Sequence, residues 1–291
     1  MLDTNATSEA RRFTVHLADG EMSGWRWENT GAAPLLFLHA TGFCASAYAR
    51  MLSSLAGAYD IYALDHRGHG RSKLPAEPGS LRSWAIFRDD VRAFLDQENR
   101  EGWTLAGHSL GAAVALLVAE GRRDVAALKL IEPVAMPAWL SSFAKTPLWP
   151  AFAARMPLVR QSLRRRSQWA SRQEVVASYG RKTLFRDWAP GVLEDYLTDG
   201  LATEGAVGVR LSCAPAWEAA TFAAQANDFW KAAAHAPAPV RVFAARQAAS
   251  TVPAFARARL QKLGVELTVD EGAGHLAPMQ KPEELASFLA S

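Results

Sequence analysis

Cysteine is scarce in this chain: its 291 residues include two, Cys44 and Cys213. Thiols so far apart in sequence give neither a disulfide framework nor a C-x-x-C metal or redox motif. Long apolar runs are missing too. No stretch of about 18 apolar residues occurs, so no membrane-spanning helix is expected. Met1 to Ala10 lacks the apolar core of a secretory signal, and a cytoplasmic protein is the expectation. No internal repeat is visible, and neither sign of charge dominates. The formal net charge is +3, too mild to imply a nucleic-acid partner. Apolar residues make up 49% and charged residues 21%, which excludes a disordered chain and is ample for a core. The length exceeds the roughly 100–200 residues usual for one domain. One α/β domain with an insertion fits it.

What is present concentrates around Gly107-His108-Ser109-Leu110-Gly111, a G-x-S-x-G pentapeptide. Trp103–Ala106 before it reads as a short buried strand, and Ala112–Ala119 after it as a helix. A strand turning sharply into a helix puts the turn residue in a strained backbone conformation, and flanking glycines give it room. Ser109 then projects its hydroxyl above the sheet, and the helix N-terminus beneath it favours negative charge. Ser109 is therefore the candidate nucleophile.

The rest of the chain alternates strand and helix patterns. Arg12–Leu17 and Ser23–Glu28 flank Asp19-Gly20, a hairpin signal. Pro34–Leu38, Ile61–Leu64, Leu128–Glu132, Val240–Ala244 and Glu266–Val269 read as further strands. Trp84, Phe87, Val91, Phe94 and Leu95 repeat at helical spacing. Pro282-Glu283-Glu284 opens a last helix. The alternation argues for a mostly parallel sheet with helices on both faces. Pro137 to Ala236 breaks the rhythm. It shows no obvious strand and reads as a helical lid, residues 137–236, inserted into a core of residues 1–136 and 237–291.

Four motifs stand in a fixed order: His39-Ala40-Thr41-Gly42-Phe43, Asp65-His66-Arg67-Gly68-His69-Gly70-Arg71-Ser72, Gly107–Gly111, and Gly272-Ala273-Gly274-His275. In them the chain resembles the α/β-hydrolase superfamily, of the capped serine esterase or lipase kind. The resemblance covers nearly the whole chain except the insertion. It implies an α/β fold with about eight mostly parallel strands, helices on both faces and a helical cap.

The resemblance also implies a site. Serine is a poor nucleophile until a base takes its proton, and the family places that base where His275 stands. The Leu110 amide, just after the nucleophile, is the first oxyanion donor. By resemblance the second comes from the loop His39-Ala40-Thr41, at Thr41, although Ala40 replaces the usual glycine. His108 reads as packing, His39 as a structural hydrogen-bonding residue, and His66 and His69 as loop-stabilising rather than metal-binding.

The acid departs from the common pattern. Many relatives carry an aspartate in the loop that here reads Ala245-Arg246-Gln247-Ala248-Ala249-Ser250-Thr251, yet no Asp or Glu occurs from Phe229 to Val265. Glu132, at the end of the strand after the nucleophile's helix, is the substitute. Some relatives, including a subgroup of haloalkane dehalogenases, carry their acid at this strand end, while others have an acid here without using it. Serine at position 109 points away from dehalogenation, which needs a carboxylate nucleophile.

The expected activity is cofactor-independent hydrolysis of small to medium carboxylic esters with an apolar acyl part. The expected partner is a small-molecule ester, with no nucleic acid and no stable membrane insertion. Lactone, amide, thioester or carbon–carbon cleavage and acyl transfer fit the same residues, as does a non-catalytic binding role. The tryptophans of the insertion either line an acyl pocket or pack the lid. Nine basic residues and one acid, Glu174, lie between Arg155 and Arg186, a run expected to be a solvated face.

Overall fold

Each apolar run read as a buried strand forms one. The structure, a computed structural model, describes residues 9–204, 208–246 and 250–291. Its strands are β1 (Arg11–Leu17), β2 (Gly20–Trp27), β3 (Ala33–Leu38), β4 (Tyr59–Leu64), β5 (Trp103–His108) and β6 (Val125–Ile131). The insertion carries β7 (Gln168–Trp169), β8 (Leu201–Glu204) and β9 (Gly208–Leu211), and the core resumes with β10 (Val240–Ala245) and β11 (Glu266–Asp270). Eight strands form one sheet in the order β1-β2-β4-β3-β5-β6-β10-β11. The pairings of β1 with β2 and of β2 with β4 are antiparallel, and all others are parallel.

β5 is buried along its whole length, because helices cover both faces of the sheet. On one face lie the helices Ala85–Glu98 and Leu110–Ala119. The first presents Phe87, Val91, Phe94 and Leu95 inward, the stripe that a 3.6-residue period produces. On the other face lie Ala49–Ser53 and Pro282–Ala290. The sheet order reverses around β3 and β5, and the crevice beyond the carboxyl ends of such strands is where α/β sheets bind ligands.

The insertion differs from its sequence reading in two ways. It is not wholly helical: β7, β9 and β8 form a small antiparallel sheet. Strands of two to four residues are too short to show the alternation by which a strand is recognised. Its last part also lies on the core. Phe229, Trp230, Ala232 and Ala233, on the helix Phe229–Ala234, share an apolar cluster with the helix Leu110–Ala119. The helix Val192–Gly200 is fastened down as well. Its buried Asp199 accepts hydrogen bonds from Arg12 (2.5 Å), Trp25 Nε1 (2.7 Å) and Arg71 Nε (3.0 Å).

Candidate active site

Ser109 sits between β5 and the helix Leu110–Ala119 at φ 55°, ψ −114°. A positive φ in a non-glycine residue costs on the order of 1–3 kcal/mol and persists only where the surroundings enforce it. Here the Ser109 amide donates to the Ile131 carbonyl at 2.9 Å, tying the turn to β6. The flanking glycines are needed for close approach. A Cβ on Gly111 would lie 2.0 Å from the Leu38 carbonyl oxygen, and one on Gly107 would lie 2.5 Å from Gly111.

His275 reaches the serine from the loop after β11. Its Nε2 lies 3.2 Å from Ser109 Oγ and its Nδ1 lies 3.0 Å from Glu132 Oε2. Glu132 follows β6 at φ 50°, so it has left the strand it was read as ending, and its amide donates to the Phe243 carbonyl of β10 at 2.8 Å. Its side chain is fully buried. Oε1 accepts from the Ala245 amide and from Ser250 Oγ, both at 2.6 Å, and Oε2 accepts from the Thr251 amide at 2.8 Å. The Thr251 hydroxyl goes to the Glu132 carbonyl at 2.6 Å. Burial alone would push the carboxyl pKa up, but the bonds from His275, Ser250 and Ala245 overcome it and hold the group below its ordinary value. An ionised carboxylate only accepts. His275 Nδ1 must therefore carry the proton, which leaves Nε2 free to accept from Ser109. Gln247, Ala248 and Ala249 lie outside the described residues.

The loop after β3 supplies the other flank. The Ala40 amide donates to Tyr48 Oη (3.1 Å), the Gly42 amide to His69 Nε2 (3.1 Å) and the Phe43 amide to the Ala40 carbonyl (3.1 Å). Among the described residues, the Thr41 amide has no acceptor, and neither has the Leu110 amide. Leu110 opens its helix, where amides lack intrahelical partners.

A family model of the alpha/beta hydrolase family matches residues 35–288. The chain belongs to the α/β-hydrolase family. It is similar to the dihydrolipoyllysine-residue acetyltransferase component of the acetoin cleaving system of Cupriavidus necator, with 32% identity over 133 residues, 45% of this chain and 35% of that one. The chain thus spans about a third of that relative's length. The fold is shared with E-2-(acetamidomethylene)succinate hydrolase (TM-score 0.77, 18% identity, 97% of this chain and 98% of that one). It is also shared with the thioesterase domain from the curacin biosynthetic pathway (TM-score 0.77, 16% identity, 97% and 100%).

Within this α/β-hydrolase core, His108 does more than the packing expected of it. Its Nδ1 accepts from Tyr48 Oη at 2.8 Å, and its Nε2 donates to the His275 carbonyl at 2.8 Å. With the Ala40 amide on Tyr48, a buried chain of hydrogen bonds runs from the loop after β3 to the loop that carries His275. Sequence reasoning missed Tyr48, because a buried tyrosine near a helix start carries no pattern of its own. His39 and His69 hold loops as expected. His39 Nδ1 donates to the Ala40 carbonyl and its Nε2 accepts from the His66 amide, while His69 Nδ1 donates to the Arg67 carbonyl. His66 instead is a packing ring between His39 and Phe87, with neither nitrogen hydrogen-bonded. Among the described residues, no group of three or more His, Cys, Asp or Glu stands close enough to hold a metal ion.

The basic run between Arg155 and Arg186 is not uniformly solvated. The Arg165 side chain is largely covered and pairs with Glu218 at 3.0 and 3.1 Å. It also donates to Tyr179 Oη (3.1 Å) and Tyr196 Oη (3.4 Å). The cluster stands against the loop after β3. Tyr196 Oη donates to the Gly42 carbonyl at 3.3 Å, and a Cβ on Gly42 would lie 2.7 Å from Glu218 Oε1. Trp188 and Tyr196 pack on Phe43. Trp217 and Trp230 bond to backbone carbonyls of Arg67 and Met136, and Trp139 is exposed.

Proposed function

We propose that this chain is a serine hydrolase of carboxylic esters that works through an acyl-enzyme. Ser109 Oγ attacks the acyl carbon while His275 Nε2 takes its proton. The carbonyl oxygen becomes an oxyanion received by the amides of Leu110 and Thr41, each such donor being worth about 2.7–4 kcal/mol. Collapse expels the alcohol, which takes the proton back from His275. Water, deprotonated by the same nitrogen, then releases the acid and restores Ser109. Glu132 orients the imidazole and stabilises its cation. The observation that carries the reading is the unbroken hydrogen-bond path from Ser109, a strained serine at a helix N-terminus, through His275 to Glu132.

The substrate is a small to medium ester. Phe43, partly exposed with the buried Trp188 and Tyr196 packed against it, offers apolar surface for the acyl part, and the Arg165–Glu218 pair makes the neighbouring wall polar. The chain acts as a single core, residues 1–136 and 237–291, under a cap drawn from residues 137–236. The thioesterase domain and the succinate-derived hydrolase that share the fold keep thioesters and amides open at the same atoms. A fluorophosphonate probe should label Ser109 and leave Ser109→Ala unlabelled, and p-nitrophenyl butyrate should be turned over by the parent alone. No labelling and no turnover in the folded parent would favour a non-catalytic binding protein instead. Rates on matched butyryl ester, thioester and anilide then fix the bond cleaved, with the ester expected to lead.

A further inference from the structure

The outer side of the cap carries a surface that the catalytic reading does not use. Of ten large exposed apolar side chains among the described residues, seven lie between Trp139 and Leu184. The densest part is the pair of short helices Trp149–Ala153 and Pro157–Leu163. Each turns a minimal face inward: Trp149 and Ala153 from the first, Val159 and Ser162 from the second. What remains outside is unusually apolar. Leu148 is 71% exposed, Leu163 57%, Leu158 50% and Phe152 45%. Leu148 and Phe152 stand four residues apart and so share one side of their turn.

The charge of this stretch has one sign. From Pro133 to Gln173 there are seven Lys and Arg residues and no Asp or Glu. Four of the seven are engaged: Lys145 with Asp228, Arg165 with Glu218, Arg166 with Glu174, and Arg172 with the carbonyls of Glu194 and Leu197. The other three, Arg155, Arg160 and Arg164, are exposed and have no acidic partner among the described residues. They alternate along the chain with the exposed Leu158 and Leu163.

We propose that this face of the cap docks on an anionic lipid surface. Large apolar side chains entering the acyl boundary, with cations at the level of the phosphates, are what interfacial helices use. The exposed apolar residues are spread over and beside successive short helices, so the surface suits a fluid, deformable partner. An acidic protein would need a complementary cleft to bury Leu148 and Phe152. A nucleic acid would leave the leucines against phosphate, where they gain nothing. Docking would be peripheral, because among the described residues no helix is long and apolar enough to cross a membrane.

The test uses the full chain in sedimentation with two kinds of vesicle, phosphatidylcholine alone and equal parts phosphatidylcholine and phosphatidylglycerol. Binding is expected to the anionic vesicles only. It should fall steeply between about 0.1 M and about 1 M salt, as the screening length shrinks from about 10 Å to about 3 Å. Arg155→Gln, Arg160→Gln and Arg164→Gln together should weaken partitioning about a hundredfold, each cation contributing about 1 kcal/mol near such a surface. Leu148→Ser with Phe152→Ser should weaken it further and leave ester turnover in solution unchanged, which checks the fold of the variants. No binding at low salt, equal binding to both vesicle types, or a triple variant that binds like the parent each overturns the proposal. So does a dimer in light scattering that Leu148→Ser with Phe152→Ser dissolves while vesicles bind nothing. The face would then be a contact between copies.

Discussion

The two flanks of Ser109 are built on opposite electrostatics. On the acid flank stands one ionised carboxylate, Glu132, buried and met by donors from His275, Ala245, Ser250 and Thr251. On the other flank stand four buried imidazoles, and burial keeps every one of them neutral. His39 is held well below its ordinary pKa, and His66, His69 and His108 are pushed down to about 3, 4 and 3. The acid flank is held by meeting a charge with dipoles. The other flank is held by three rings, His39, His69 and His108, that each use one nitrogen to donate and one to accept, with His66 packed beside them. A proton added to His39, His69 or His108 would turn its acceptor into a second donor facing a donor. The site is thus assembled from one group that must stay charged and several that must not.

The largest effect should come from breaking the charged flank. Glu132→Gln keeps the volume, and its carbonyl can still accept from Ala245 and Ser250. Its amide would face the Thr251 amide and His275 Nδ1, forcing the wrong tautomer on the base. By the loss seen when a triad acid becomes an amide, kcat for p-nitrophenyl butyrate should fall about ten-thousandfold, with the fold intact by circular dichroism. Near-parental turnover would remove Glu132 from the proposed triad. Stability should carry the same signature. The folded pKa of Glu132 lies below its ordinary 4.5. Its stabilisation is therefore complete above about pH 4.5 and is lost as pH falls through the folded value. The difference in Tm between parent and Glu132→Gln should close only in that acid range.

The neutral flank should fail at a different pH. Each of the four rings has a folded pKa below the ordinary 6.5, so below about pH 6.5 the unfolded chain binds protons that the folded chain refuses. Stability is complete above that value and falls as pH drops towards 4. Asp65 acts in reverse, since burial pushes its carboxyl from 3.8 up to about 7 and the folded chain holds a proton that the unfolded one releases. Four rings against one carboxyl leave a net uptake of protons on unfolding, so stability should rise with pH between about 4 and 6.5. Urea unfolding at successive pH values measures the slope. His66→Phe removes one ring that makes no side-chain hydrogen bond and should flatten it. An unchanged slope would show that the loss arises elsewhere.

Much of the charged flank was legible in the chain before its structure. An absence made it so: no acid stands between Phe229 and Val265, which leaves Glu132, at a neighbouring strand end, as the candidate. The strands were legible for a related reason, since five-residue apolar runs such as Pro34–Leu38 have few other ways to be buried. The neutral flank was legible only in part: His39 and His69 hold loops as their motifs suggested, whereas His66 only packs. His108 looked like packing because its partners, Tyr48 and the His275 carbonyl, are 60 and 167 residues away, and no local pattern announces a hydrogen bond across the fold. Arg165 was hidden by its neighbours. In a run of arginines nothing local distinguishes the one that turns inward to Glu218 from those that face water. β7, β8 and β9 escaped because two to four residues are shorter than any period.

Smaller effects probe how each flank is supported. Ser250→Ala removes one hydrogen bond to the Glu132 carboxylate. A bond to a charged group is worth about 1.5–3 kcal/mol, so turnover at neutral pH should fall about tenfold and the acid limb of the rate profile should move to higher pH. A shift to lower pH would contradict the account of what holds Glu132 ionised.

Tyr48→Phe should have the smallest effect on rate and the most telling one. It removes the hydroxyl between the Ala40 amide and His108 Nδ1 and leaves the ring against Phe37 and Phe43. Two buried polar groups lose their partner, which should destabilise the fold by about 1–3 kcal/mol. A merely structural role would end there. If the chain of bonds sets the loop after β3 against the loop that carries His275, kcat should also fall several-fold with KM unchanged, because the loss is felt only once the oxyanion forms. The rate of fluorophosphonate labelling should drop in step with kcat. A loss of stability with kcat unmoved would mean that the two flanks are positioned independently, each by its own strand.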